Sequence, residues 1–216
     1  MKKFAVVLSG CGVFDGAEIH EATLSLLAIA QAGAQYELFA PDILQYHVVN
    51  HFSGELMSET RNVLVESARI ARGKIRPLSA FDASAFDAIL FPGGFGVAKN
   101  LSDLAFKGAD CIVNVEVENA IKAMLLAKKP IGALCIAPAV VARVIKGVQV
   151  TIGTDKGTAA AIHAMGGKHV ITNHGEVVED TVHKVFTTPC YMLDATIIDI
   201  YNGANNVVQL MMESLK

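Results

Sequence analysis

The chain has 216 residues, 52% of them hydrophobic and 18% charged, with a formal net charge of −3. So apolar a composition excludes a disordered chain, and the scattered Lys and Arg residues give no footprint for nucleic acid or a membrane surface. The length favours one compact domain over residues 1–216, large enough to bury a sizeable core.

In chain order, residues 4–8 read as a buried strand. Although this run follows Met1-Lys2-Lys3, it stops after about five residues at Ser9-Gly10, short of the roughly 7 that a signal peptide needs. A helix over 18–32 follows, closed by Gly33, then a strand over 36–39 and a helix over 59–71. Next come a strand at 88–91, a helix over 115–127 capped by Asn114, and a strand at 131–134. The longest apolar stretch, residues 130–145, is interrupted by Pro138 and Arg143, so it does not read as a membrane span. Beyond it lie short β-prone pieces at 149–152, 169–172, 177–178 and 185–187 around a helix at 157–165. Pro189 is expected to open a long C-terminal helix interrupted at Gly203.

Repeated strand-helix-strand units predict an α/β fold, a three-layer α/β/α sandwich around a mostly parallel sheet. Such sheets bind ligands beyond the carboxyl ends of their strands, which directs attention to the loops after Leu8, Phe91 and Leu134. Cys11, Cys111, Cys135 and Cys190 lie far apart without a C-x-x-C pair, which argues against a zinc ribbon or a disulfide scaffold and predicts reduced thiols in a cytoplasmic chain.

Cys135 follows the third of those strands and precedes Ile136-Ala137-Pro138, the signature of a sharp turn into a helix with proline near its first position. A thiol at a helix amino terminus is expected to have a lowered pKa and backbone N–H groups nearby to hold an anion. A buried core cysteine is the plain alternative. Gly93 and Gly94, after Phe91-Pro92, let the backbone approach a ligand and supply a second wall for that anion. Glu18 and Glu21 follow the first strand and can reach the same sheet edge, although acids at a helix start commonly just complement its dipole.

Together with Leu8-Ser9-Gly10-Cys11-Gly12-Val13, Glu18-Ile19-His20-Glu21, Glu59-Thr60-Arg61-Asn62, Pro92-Gly93-Gly94-Phe95-Gly96, Lys99-Asn100, Cys135-Ile136-Ala137-Pro138 and Thr187-Thr188-Pro189, the chain resembles the ThiJ/PfpI superfamily nearly end to end. Within it the chain looks like the ElbB-type glyoxalases, also described as isoprenoid-biosynthesis proteins with an amidotransferase-like domain. The resemblance implies a class I glutamine amidotransferase-like, flavodoxin-like domain that assembles as a homodimer. It implies conversion of glyoxal, and of methylglyoxal, to a 2-hydroxy acid without glutathione, metal or organic cofactor. The nucleophile falls on Cys135 and its partner acid on Glu21, twelve residues before Gly33, while Glu18 becomes a helix-start residue. Backbone N–H groups of Ile136 and Gly94, with Gly93 beside them, would hold the oxyanion. Many superfamily members carry His directly after the nucleophile where this chain has Ile136, which implies modest catalysis and leaves His174 and His183 as candidates for a third group.

Other readings use the same residues. His174-Gly175-Glu176 supplies the letters of an amidotransferase His-x-Glu, but only 39 residues after Cys135 and in a stretch that reads as a turn. The glycines at 10, 12 and 16 are one residue out of register for G-x-G-x-x-G, which counts against a dinucleotide. A stress-responsive protein that uses Cys135 as an oxidation sensor would show the same thiol.

Overall fold

In a computed structural model describing residues 1–216, strand β1 (Lys3–Val7) sends Phe4 and Val6 to one face and Ala5 and Val7 to the other, all four buried. A strand buried on both faces is the mark of a sheet sandwiched between helices. The elements follow as α1 (Ile19–Gln31), β2 (Gln35–Ala40), α2 (Val63–Ile70), β3 (Ile75–Pro77) and β4 (Ala88–Phe91). Next are α3 (Phe95–Lys99), α4 (Leu104–Lys107), α5 (Val115–Leu126), β5 (Ile131–Leu134) and α6 (Ala137–Val144). The chain ends with β6 (Gln149–Val150), α7 (Lys156–Ala164), β7 (Lys168–His169), β8 (Val178–Asp180), β9 (Val185–Thr188) and α8 (Ile197–Glu213).

Seven strands form one sheet in the order β3-β2-β1-β4-β5-β9-β8, parallel except for β8, which runs antiparallel to β9. Strands β6 and β7 pair separately. One face packs Phe4, Val6, Leu90 and Phe186 against Leu26 and Ile29 of α1 and Val207 and Met211 of α8. The other packs Val7, Ile89, Phe91 and Ile131 against Ile121 and Met124 of α5 and Val140 and Val141 of α6. The α/β/α sandwich is therefore as expected. No helix is long and apolar enough to cross a membrane.

Strand order reverses direction at β1, between β2 and β4, so the loops leaving β1 and β4 part there and open a crevice at the carboxyl edge. Asn100 ties this edge together: its side-chain amide donates to the carbonyls of Ser9 and Asp15, each at 2.9 Å, and its carbonyl accepts from Tyr46 N–H. Ser67 of α2 accepts Gly10 N–H at 2.9 Å. Asn114 caps α5 through Glu116 N–H and Val117 N–H, as its position predicts.

The expected C-terminal helix starts elsewhere. Pro189 leads into a single 3-10 turn, Cys190–Met192, and α8 begins only after Thr196, whose hydroxyl and Asp199 form a reciprocal capping box. Nor does Gly203 interrupt α8: it lies on the buried side, where an added Cβ would stand 3.1 Å from Thr188 Oγ1 and 3.3 Å from Cys190 Sγ. A glycine there lets the helix pass close to the strand end, an advantage that periodicity cannot display. Thr196→Ala should lower stability by about 1 kcal/mol, measured by urea denaturation, since it removes the acceptor of Asp199 N–H.

Candidate active site

Strand β5 ends at Leu134 and the chain turns at Cys135, whose φ of 61° is left-handed and costly for a side-chain-bearing residue. Its N–H still pairs with Thr188 O at 3.0 Å, so the turn is pinned to β9 before α6 begins. Cys135 sits at the helix start, 7% exposed as a residue, at one wall of a cavity of about 580 Å³. A larger hollow of about 730 Å³ lies at the far edge of the sheet beside Tyr36, Arg72 and Arg76, with neither Cys135 nor Glu21 on its wall.

Glu21 reaches Cys135 from the first turn of α1. Glu18 caps that helix by accepting Glu21 N–H at 2.7 Å, which fixes the turn and aims the Glu21 carboxyl inward, where it is wholly buried. There it hydrogen-bonds the Cys135 side chain and accepts Gly93 N–H at 2.9 Å on Oε2 and Tyr191 N–H at 3.2 Å on Oε1. Burial, and then the nearby Glu18 carboxylate, push the Glu21 pKa up to about 8, so at neutral pH it is a carboxylic acid.

The backbone N–H groups of Gly94 and Ile136 hydrogen-bond the Cys135 side chain, so the two donors expected to face an oxyanion converge on the sulfur itself. Gly93 differs from the expectation: its N–H is committed to Glu21 and makes the acid's seat rather than the anion hole. The expected lowering of the thiol pKa is likewise corrected. Burial, and then the Glu21 charge, raise it well above the ordinary value, outweighing the two N–H groups that pull it down.

Close packing makes Gly93 sterically obligatory. A Cβ added there would lie 2.3 Å from Cys135 Cβ and 2.6 Å from Glu21 Oε2. Gly93→Ala should therefore cost about 1–3 kcal/mol of stability by urea denaturation. The displaced pair should also lose its raised Glu21 titration, read by carboxyl NMR.

The two histidines expected as third groups lie apart from this pair. His183 bonds Asp180 at 2.9 Å in the turn before β9, five residues upstream of Thr188, or roughly 16 Å along the chain at about 3.3 Å per residue. His174 sits in an exposed turn held by Asn206 Nδ2 on Gly175 O at 2.8 Å, while Glu176 accepts Asn173 N–H at 2.7 Å. The His174-x-Glu176 letters thus belong to a local turn. Sequence reasoning missed Tyr191, which lines the cavity and whose hydroxyl is 2.8 Å from His20 Nδ1. His20 is one residue from Glu21, yet its partner stands 171 positions away.

No protein-family model matches the chain. It is 48% identical over 221 residues to the mitochondrial ES1 protein homolog of Rattus norvegicus, covering 98% of this chain and 83% of that one. It is 47% identical to the mitochondrial glutamine amidotransferase-like class 1 domain-containing protein 3 of Homo sapiens, over 98% of this chain and 82% of the human one. A crystal structure of an isoprenoid biosynthesis protein with amidotransferase-like domain from Ehrlichia chaffeensis superposes with a TM-score of 0.94 at 40% identity over the whole of both chains. A ThiJ/PfpI domain protein from Brachyspira murdochii, 16% identical with a TM-score of 0.59 over 100% of this chain and 98% of that one, shares the fold. The rat, human and Danio rerio relatives are named as mitochondrial proteins, which overturns the cytoplasmic expectation. Unpaired cysteines distinguish reducing from oxidising surroundings and do not choose among reducing compartments.

Proposed function

We propose a glyoxalase function for this chain, which belongs to the family of the ES1 proteins and glutamine amidotransferase-like class 1 domain-containing protein 3. In this reading it is an ElbB-type, glutathione-independent enzyme that turns glyoxal into glycolate, and methylglyoxal into lactate, acting as a homodimer. The observation that carries it is the buried Cys135–Glu21 pair, a thiol hydrogen-bonded to a carboxyl that is protonated at neutral pH, with two backbone N–H groups on the sulfur.

Glu21, the more acidic member of the pair, first gives up its proton and then takes that of the Cys135 thiol, leaving a thiolate that Gly94 and Ile136 N–H stabilise. Sulfur attacks an aldehyde carbon, a C–S bond forms, and the displaced π electrons go to oxygen, which takes the Glu21 proton. The Glu21 carboxylate then removes the hydrogen on that carbon, the electron pair moves on to the neighbouring carbonyl oxygen to give an enediol as the hydroxyl proton passes from the first oxygen to the second, and Glu21 returns its proton to the neighbouring carbon. One carbon is oxidised to a thioester and the other reduced to an alcohol, so electrons balance within the substrate. Water cleaves the thioester, releasing the 2-hydroxy acid and regenerating the thiol.

Use of Cys135 purely as an oxidation sensor would draw on the same thiol, and turnover rate separates it from the enzyme reading. The deciding measurement is glycolate formation from glyoxal by the purified protein without glutathione. A kcat/KM above ~10² M⁻¹s⁻¹ supports the enzyme, a weak one beside the usual ~10⁴–10⁸ range. A wild-type rate no greater than that of the Cys135 and Glu21 variants rejects it.

A further inference from the structure

We propose that the preferred substrates of this site are 2-oxoaldehydes bearing an uncharged apolar tail of several carbons, an inference that rests on the glyoxalase reading and narrows it. Glyoxal has four non-hydrogen atoms and occupies at most about 100 Å³, judged against ~30 Å³ for a water molecule. The cavity at Cys135 holds about 580 Å³, within the range of sites that enclose much larger ligands.

Its surplus space is apolar. Val13, Phe95 and Leu104 line it from the β1 loop and from α3 and α4, and Ala161, Ile136 and Met192 line it from α7 and from the turns after β5 and β9. The charged groups on its wall are Glu18 and Asp155, and no Lys, Arg or His lines it. Both carboxylates are engaged as helix caps, Glu18 on Glu21 N–H and Asp155 on Thr158 N–H. A tail carrying carboxylate or phosphate would meet two negative charges and no counter-charge, whereas methylenes would replace water against aliphatic walls.

With the aldehyde carbon at Cys135 Sγ, the tail extends from the second carbonyl carbon into this space, and the reaction keeps its balance: R–CO–CHO plus water gives R–CH(OH)–COOH. The test is kcat/KM for methylglyoxal, 2-oxohexanal and 2-oxooctanal with wild type and Ala161→Trp. A parallel measurement uses the Cys135→Ser protein and the unreactive ketones butan-2-one, hexan-2-one and octan-2-one, with Kd read by ligand-detected NMR.

Each added methylene is expected to raise wild-type kcat/KM and tighten ketone binding about 2–4-fold. Ala161→Trp should cut the octanal-to-methylglyoxal ratio at least tenfold. Turnover of methylglyoxal with no gain along the series overturns the tail proposal and leaves the glyoxalase reading standing. Failure to turn over any aldehyde, with ketone affinity still rising with length, overturns the glyoxalase reading and retains an apolar ligand site. Ketone affinity independent of length overturns the tail proposal whatever the catalytic result.

Discussion

Cys135→Ser is expected to lower kcat/KM for glyoxal by at least a hundredfold while leaving the fold in place. A hydroxyl is a far weaker nucleophile than a thiol at neutral pH, and no imidazole touches residue 135 to take its proton, so Glu21 would have to ionise a much weaker acid. A hundredfold loss corresponds to about 2.7 kcal/mol of transition-state stabilisation. Serine is close in size to cysteine and can donate to Glu21 in its place, so the urea midpoint should move by less than the equivalent of about 1 kcal/mol. A variant that retains half of the wild-type rate would remove Cys135 from the chemistry.

Glu21→Gln should act on rate and on stability together, with a distinct pH signature. Glu21 has a folded pKa of about 8 against an ordinary value of 4.5, so between those values the folded protein holds a proton that the unfolded chain releases. Stability is therefore fully present below pH 4.5 and falls as pH rises towards 8, by about 1.4 kcal/mol per pH unit from this group. Across the window the loss is on the order of a few kcal/mol, because the carboxyl is wholly buried and little screened by solvent. Glutamine carries no such proton, and urea titrations from pH 5 to 8 should show this slope in wild type and not in the variant.

The same substitution should reduce kcat/KM for glyoxal at least tenfold, because an amide neither gives up nor returns a proton. In wild type, kcat/KM should climb with pH and level off near 8, as the coupled pair loses its first proton. A wild-type profile flat from pH 6 to 9 would separate the raised Glu21 pKa from catalysis.

Much of this protein is local and can be read from the chain. Continuous apolar runs mark β4 at Ala88–Phe91 and β5 at Ile131–Leu134 to the residue, because a strand buried on both faces admits little else. The Cys135 turn is written in a strand followed by Ile136-Ala137-Pro138, and the Asn114 cap in a side chain that reaches backbone only two and three residues away. What needed the tertiary structure depends on neighbours far along the chain. Position along a helix does not say whether Glu21 complements a dipole or is buried against a thiol 114 residues later. Nor does a helix-start cysteine disclose that burial outweighs the two N–H groups on its sulfur and raises its pKa. The start of α8 moved from Pro189 to Thr196 because the intervening residues bring Tyr191 to Glu21 and His20. Sequence by itself determined the layers, the turn and the nucleophile candidate, since these follow from short-range backbone preference and burial pattern. Folding alone decided protonation, donor assignment and pocket shape, since electrostatic and packing energies are set by distances through space.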